Sequence, residues 1–416
     1  MKKTTIALAL LAALTGTVLA QEGAVPKGIP HLDHVFVIMM ENHGYREILN
    51  NPNAPWINKY ARSANLATNY FAVAHPSLTN YLETVGGSNF GVHSDNASDW
   101  HNGACATNLS TGTVNTDTPS SPAICPIHGS GTDAETPILD CTNEVTGPPC
   151  EINIDGKTWY PAVSTTLGIT IADQLVSAGK TWKTYQENLP MTGPNLVNYS
   201  DGNFTNLTNF AKINPQLNPP LSSGDIVQLY AAKHNPFVYF REIQQGANPL
   251  LSFAQMSGFD GVSGLWGDLA YGKVPNFSYI VPNQCNDQHG RSNGTAFCGF
   301  DPNSNGTQAG LNPALIQLGD QVVQKIVTAI HQSPAWEHGH AAIVVVWDEN
   351  DYSVQPIINQ VVTIVDTNYG FHQVQSGQFY THFSLLRSIE GGLGLPCLNH
   401  ACDASTNTMT DLFGEP

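Results

Sequence analysis

Charged side chains are scarce in this sequence, and basic ones are the scarcest. Only 12% of the 416 residues are charged, and 16 lysines and arginines stand against 33 aspartates and glutamates. The formal net charge of −17 at pH 7 repels polyanions, so the sequence predicts no nucleic-acid partner. Hydrophobic residues make up 41%, which is typical of a folded chain with a large buried core.

Several sequence signatures are missing as well. After the apolar run Ile6–Leu19, no stretch approaches the ~20 apolar residues of a membrane-spanning helix, so we expect no stable membrane span. No two cysteines have the CxxC spacing, which argues against a structural zinc site. The GxSxG, P-loop and HExxH motifs are absent, so nothing indicates an α/β-hydrolase elbow, a P-loop or a zincin.

The N-terminus predicts export. Two lysines precede the apolar run and a signal-peptidase-like site ends at Ala20, so we expect residues 1–20 to be a signal peptide and the protein to be secreted or periplasmic. Eight cysteines follow, an even number that predicts disulfides in an exported chain. Their spacing suggests a local cluster and two sequential pairs: Cys105, Cys125, Cys141 and Cys150, then Cys285 with Cys298 and Cys397 with Cys402.

Apolar runs alternate with helical patterns along the chain. Residues 32–40 and Ala341–Trp347 are nearly continuous apolar runs, typical of buried parallel strands. Shorter strands are predicted at Phe277–Val281 and Val361–Val365, and the clearest helix at Asn312–Gln332. This alternation predicts an α/β fold with a mostly parallel sheet covered by helices on both faces. Other predicted elements are a helix from Thr170, a strand at 182–185, and helices at Ser222–Ala232 and His382–Ile389.

Residues 88–165 differ from the rest in composition. They are rich in Gly, Ser, Thr, Asn and Pro, and they contain half of the cysteines. We expect a disulfide-tied insertion that covers one side of a functional site, within a single domain spanning residues 21–416.

Ser77 is the candidate nucleophile. It follows His75-Pro76 and precedes the amphipathic run Leu78–Val85, which places it at a predicted helix N-terminus. Unpaired backbone N–H groups and the helix dipole favour negative charge there. Taken alone, an N-cap role explains Ser77 better. His75 is weak evidence for a catalytic triad, whose members are usually distant in sequence.

Two acidic or amide pairs favour a catalytic role. Glu41-Asn42 and Asp348-Glu349 each follow a long apolar strand, and parallel strands place ligands at their carboxyl ends. Either pair alone could be a solvated turn, but together they predict a shared site for one divalent cation, with magnesium, calcium, manganese and iron left open. Ser77 would be a further ligand, and its activated hydroxyl could attack phosphorus to form a phosphoserine.

Loop histidines supply further candidates. His234 and His289 could reach the same edge of the sheet and bind phosphate oxygens or protonate a leaving group. For each, the alternative is a histidine that caps a backbone group. His382, at a predicted helix start, ranks behind them.

Six motifs occur in order between about residue 31 and residue 396. They are Met40-Glu41-Asn42-His43, His75-Pro76-Ser77-Leu78-Thr79-Asn80-Tyr81, Lys233-His234-Asn235-Pro236-Phe237, Val281-Pro282-Asn283 with Asp287 and His289, Trp347-Asp348-Glu349, and the stretch from His382 to Glu390. Together they resemble the phosphoesterase family, which contains bacterial and fungal acid phosphatases and bacterial phospholipases C.

The resemblance implies an alkaline-phosphatase-like three-layer α/β/α sandwich and a small phosphorylated substrate. It also implies one metal held by Glu41, Asn42, Asp348 and Glu349, with Ser77 as nucleophile and ligand, and with His234 and His289 facing phosphate. The serine in the His-Pro-Ser motif resembles the acid phosphatase branch, because the phospholipase branch has threonine there. Gly290 departs from the family pattern, which often has aspartate after the histidine.

Two alternatives stay open at this point. One is a phospholipase C or another phosphodiesterase on the same scaffold, which a larger apolar mouth near residues 88–165 would favour. The other is a secreted binding protein without catalysis, against which the intact Ser77 and both ligand pairs count.

Overall fold

A computed structural model describes the chain at residues 22–90, 168–189, 229–240, 242–243, 246–291, 295–303, 305–351 and 359–414. The predicted signal peptide and nearly all of the predicted insertion lie outside these residues, together with its four cysteines. No helix in the described part of the chain combines the length and apolar character needed to cross a membrane.

An eight-stranded sheet organises the described residues. Its order is β5-β4-β6-β1-β7-β8-β2-β9, and β8 alone runs antiparallel to its neighbours. A separate parallel pair joins β3 to β10. The strands are β1 (His34–Met40), β2 (Asn65–Ala67), β3 (Tyr70–Phe71), β4 (Trp182–Gln186), β5 (Met256–Ser257), β6 (Phe277–Val281), β7 (Ala341–Trp347), β8 (Thr363–Thr367), β9 (Gln375–Ser376) and β10 (Tyr380–Thr381).

Helices form two packed groups. The longest, α7, packs against α2, α5, α6 and α8, whereas α3 packs against α4 and α9. The helices are α1 (Tyr45–Ile48), α2 (Pro55–Ser63), α3 (Ser77–Gly86), α4 (Ile171–Ser177), α5 (Leu265–Ala270), α6 (Thr295–Cys298), α7 (Pro313–His331), α8 (Pro334–Glu337), α9 (His382–Leu393) and α10 (Thr410–Phe413). Short 3₁₀ turns include Ala232–His234 and Pro236–Tyr239.

The central strands are buried on both faces. Every residue of β6 and β7, and every residue of β1 after His34, is buried. Successive side chains of a strand point to opposite faces, so both faces of the sheet must be covered. The predicted α/β sandwich with a mostly parallel sheet is therefore confirmed.

Most predicted elements agree with the observed ones. The strands at Phe277–Val281 and Ala341–Trp347 have the predicted bounds, and the predicted helix Asn312–Gln332 is α7 with Asn312 as its N-cap. The helix from Thr170 begins with a capping box in which the Asp173 side chain accepts from the Thr170 backbone N–H. The disulfides Cys285–Cys298 and Cys397–Cys402 are confirmed.

Two predicted elements need correction. The strand predicted at Val361–Val365 begins two residues later, because Val361 pairs with Gly44 instead of with β7. Only residues 229–232 of the helix predicted at Ser222–Ala232 are described, and these residues are not α-helical. Leu229 there accepts a backbone hydrogen bond from Gln284, and Ala231 is extended.

Candidate active site

Three neighbouring strands bring the predicted site residues to one edge of the sheet. Met40 and Trp347, the last residues of β1 and β7, are in register. The ladder continues one step further, because the Asp348 backbone N–H donates to Met40 O at 2.9 Å. On the other side, the Glu41 backbone N–H donates at 2.8 Å to the carbonyl of Asp287, which follows β6. Backbone pairing therefore fixes Glu41, Asp287 and Asp348 side by side.

Ser77 lies between the two predicted ligand pairs. It is the first residue of α3, preceded by Pro76 as N-cap, and it is buried. Its Oγ lies 3.2 Å from Glu41 Oε2 and 3.2 Å from Glu349 Oε1, so its hydroxyl donates toward carboxylates. Since the hydroxyl does not cap the helix, the N-cap explanation fails, and the helix N-terminus instead presents Ser77 to the acidic cluster.

Glu349 is held by the segment that precedes and begins α3. His75 Nδ1 lies 2.8 Å from Glu349 Oε2, and Asn80 Nδ2 donates to the same oxygen at 3.0 Å. The Asn80 side chain also donates to Ala74 O at 2.7 Å and accepts from the backbone N–H groups of Val73 and Ala74. One amide therefore fixes the loop before Ser77 relative to Glu349.

We expect Asn80→Ala to lower kcat/KM about 10- to 100-fold, because residues that orient ligating carboxylates have effects of this size. The matched control is Asn58→Ala. Asn58 is likewise a buried asparagine with four hydrogen bonds, but all four are to backbone groups around α2. Its loss should lower the melting temperature and leave kcat/KM within about twofold. Equal kinetic effects of the two variants would contradict a specific role for Asn80.

His234 bridges two carboxylates. Its Nε2 lies 2.9 Å from Glu41 Oε1, its Nδ1 lies 3.2 Å from Asp287 Oδ2, and its ring stacks on Tyr81 with centroids 5.2 Å apart. Burial lowers the pKa of His234, but the charge of Glu41 and the hydrogen bonds to Asp287 and Glu41 outweigh burial and raise it to about 9. Both ring nitrogens thus face carboxylate oxygens, an arrangement that suits the protonated ring. Its contact with phosphate stays a prediction, since both nitrogens face carboxylates.

His289 is a neutral histidine beside a buried lysine. Burial, followed by the charge of Lys233, lowers the pKa of His289 to about 3. Its Nδ1 lies 2.9 Å from the carbonyl of Gly290, which requires the hydrogen on Nδ1. Its Nε2 is then an acceptor for Lys233 Nζ at 3.2 Å. The same Nζ lies 3.5 Å from Ser77 Oγ, so Lys233 places a positive charge directly beside the candidate nucleophile.

The loop between these groups is shaped by Gln288. Gln288 has φ +83°, a left-handed conformation that non-glycine residues rarely adopt. Its side chain holds that conformation by donating to Ile316 O at 3.0 Å and accepting from Trp347 Nε1 at 3.0 Å. The turn lets Asp287 and His289, two residues apart, both point into the site.

Asp348 is a further buried carboxylate of the site. Its side chain is fully buried, and no side chain among the described residues donates a hydrogen bond to either oxygen. Burial, and then the charges of Glu41 and Glu349, raise its pKa well above the usual value. His382 holds the backbone of this residue. Its Nε2 donates to the Asp348 backbone carbonyl at 2.6 Å, and its Nδ1 accepts from Tyr70 OH at 2.9 Å.

The donor set fits a divalent cation. Four carboxylates, Glu41, Asp287, Asp348 and Glu349, are buried together, and His234 and Lys233 offset part of their charge. Burial raises the pKa of Glu41, but His234 outweighs this effect and holds it below the usual value. Asn42 is half-buried next to Glu41. A second arrangement is also present: in the described part of the chain, ligand atoms of Glu41, His234 and His289 lie within 4.8 Å of one another.

Several site residues were not among the predicted ones. Three of them belong to the six sequence motifs and lie one to three residues from a predicted site residue: Lys233, Asn80 and Asp287. Their position in the motif was the available signal, but nothing in the spacing indicated which neighbour points inward. His382 was weighed as a phosphate ligand, and the structure instead places it against the backbone of Asp348.

The chain resembles known proteins along most of its length. The model of the Phosphoesterase family matches residues 47–297, more than half of the chain. A phosphatidylinositol-3-phosphatase of Mycobacterium tuberculosis is 24% identical over 415 residues, 99% of this chain and 92% of that protein. An acid phosphatase of Aspergillus fumigatus is 22% identical over 366 residues, 87% of this chain but only 55% of that protein. A solved protein of the alkaline phosphatase superfamily from Vibrio parahaemolyticus has a TM-score of 0.44 at 10% identity, over 95% of this chain and 71% of that chain.

Proposed function

The chain belongs to the Phosphoesterase family and is a hydrolase of phosphate esters, and from this premise we propose that it is a metal-dependent acid phosphatase that acts on monoesters through a phosphoserine at Ser77. The observation that carries the proposal is the contact of Ser77 Oγ with Glu41 and Glu349, one from each predicted ligand pair. The predicted signal peptide supports an enzyme that acts after export, secreted or in the periplasm.

Glu41, Asn42, Asp348, Glu349 and Ser77 would hold the divalent metal. The absence of a described side-chain donor to Asp348 supports this assignment, as does the concentration of buried carboxylates around Ser77. When bound, such a cation would lower the pKa of the serine hydroxyl and offset negative charge on the transferring phosphoryl group.

The described residues suggest how the first half of the reaction proceeds. Ser77 Oγ attacks phosphorus, and its proton passes to one of the two carboxylates that accept its hydrogen bond. The P–O bond to the alcohol breaks as the Oγ–P bond forms, and the leaving oxygen takes up that proton. Lys233 Nζ, 3.5 Å from Ser77 Oγ, stabilises the oxygens of the phosphoryl group.

The second half reverses these roles. Water attacks the phosphoserine, the Oγ–P bond breaks, and inorganic phosphate leaves. A proton of that water passes through the carboxylate to Ser77 Oγ and restores the hydroxyl. His234 keeps Glu41 and Asp287 in place throughout, because its two nitrogens contact both carboxylates.

A substrate panel tests the proposal. We expect the purified protein to hydrolyse 4-nitrophenyl phosphate faster than bis(4-nitrophenyl) phosphate or phosphatidylcholine at acidic pH. We also expect chelation to remove the activity and a divalent cation to restore it. A faster rate on diesters would favour a phosphodiesterase or phospholipase C instead. No turnover of any phosphoester, with metal bound as shown by metal analysis, would favour a binding protein.

A further inference from the structure

Two large apolar side chains are exposed on the segment that a disulfide joins to the loop carrying His289. Phe297, on α6, is 70% exposed, and Phe300, just after that helix, is 50% exposed. A single exposed apolar residue needs no explanation, whereas a fixed pair beside a site is typical of a surface that a ligand covers.

The segment that carries these phenylalanines is firmly attached. The Cys285–Cys298 disulfide links it to the loop that carries His289, and the Arg291 backbone N–H donates to Cys298 O at 2.6 Å. On its other side, Asn312 Nδ2 donates to Gly299 O at 2.9 Å. The backbone that carries the two phenylalanines is therefore held in place from both sides.

Phe300 contacts the site directly. Its ring meets the ring of His289 edge-on, with centroids 5.9 Å apart and planes at 66°. Gly290 permits this approach: its φ is +79°, and a Cβ there would lie 3.1 Å from Gly299 O and 3.2 Å from Phe300 Cα. The glycine that departs from the family pattern thus leaves room for the backbone of Gly299 and Phe300.

The contacts run outward from the nucleophile. Lys233 Nζ is 3.5 Å from Ser77 Oγ, His289 Nε2 is 3.2 Å from that Nζ, and Phe300 lies against His289. The side chains become more exposed along these contacts, from the buried Lys233 through the half-buried His289 to Phe300, so Phe300 lies on the solvent side of a phosphoryl group bound at Ser77 and Lys233.

We propose that Phe300, together with Phe297, forms a wall for the alcohol part of the substrate and selects phosphate esters with an aromatic group at the ester oxygen over small polar ones. This inference rests on the proposed phosphatase function. Its physical basis is stacking and apolar burial against two rings that otherwise face water.

The test compares 2-naphthyl phosphate with glycerol 3-phosphate. We expect Phe300→Ala to reduce the ratio of their kcat/KM values about three- to tenfold through a higher KM for the naphthyl ester, and Phe300→Leu to retain part of the ratio. Phe297→Ala should have a smaller effect in the same direction. The matched control is Phe371→Ala, because Phe371 is 52% exposed but lies next to Asn65 of β2, three strands from β1.

Each outcome has a distinct meaning. An unchanged ratio in Phe300→Ala, with an active wild type, would overturn this inference and leave the phosphatase function intact. An equal change of this kcat/KM ratio in Phe371→Ala would overturn it too. A change of the ratio that occurs only when lipid vesicles are present would also overturn it, because it would indicate a membrane contact. A wild type that hydrolyses neither ester would instead overturn the proposed function.

Discussion

Ser77→Ala is expected to lower hydrolysis of 4-nitrophenyl phosphate by at least about 10³-fold, because the variant lacks the atom that would bond to phosphorus. The remaining cluster keeps its contacts: His75 and Asn80 still hold Glu349, and His234 still holds Glu41. The melting temperature should therefore change little. Steady-state kinetics and thermal unfolding of the same preparations measure both effects.

Ser388→Ala is the control for that substitution. Ser388 is a buried serine on α9 whose Oγ donates to Ser384 O at 2.7 Å and accepts from the Met409 backbone N–H at 2.9 Å. Removing this hydroxyl should reduce stability by about 1 kcal/mol and leave kcat close to that of the wild type. Substantial activity in Ser77→Ala would show that another group is the nucleophile. Trapping of a phosphoserine at Ser77 with substrate at low pH would support the assignment independently.

Lys233→Met should reduce kcat about 10²- to 10³-fold, the usual effect of removing one fixed donor from a site where charge develops. Lys233 is only 5% exposed, and its ammonium group faces both Ser77 Oγ and the neutral His289. Loss of the positive charge should also weaken inhibition by inorganic phosphate. Lys233→Arg should recover part of the phosphate affinity but less of kcat, because guanidinium and ammonium groups differ in shape.

The control for Lys233 is Lys183→Met. Lys183 is also a largely buried lysine, and it contacts Asp268 of α5 on the outer side of β4. Its replacement should lower the melting temperature and leave the kinetics unchanged, since breaking a buried ion pair costs stability wherever it lies. If Lys233→Met affected only stability, then Lys233 would be a structural counter-ion to the carboxylates.

The sequence by itself determined the central strands β1, β6 and β7, the longest helix and the identity of the family. Continuous apolar runs at Ala341–Trp347 and Phe277–Val281 mark strands that are buried on both faces, and short runs of this kind are typical of such strands. The pairs Glu41-Asn42 and Asp348-Glu349, which follow β1 and β7, were recognisable for the same reason, because a charged residue directly after a buried run marks the edge of the sheet.

Tertiary structure alone decided which neighbours of those residues point into the site. Motif spacing does not show that Lys233 rather than Asn235 faces Ser77, or that Gln288 takes a left-handed turn that directs Asp287 and His289 to the same side. These orientations depend on contacts more than 50 residues apart in the sequence, such as Lys233 with Ser77 and Gln288 with Trp347. Local pattern determines secondary structure and burial, whereas the direction of a loop side chain is set by the elements that pack around it.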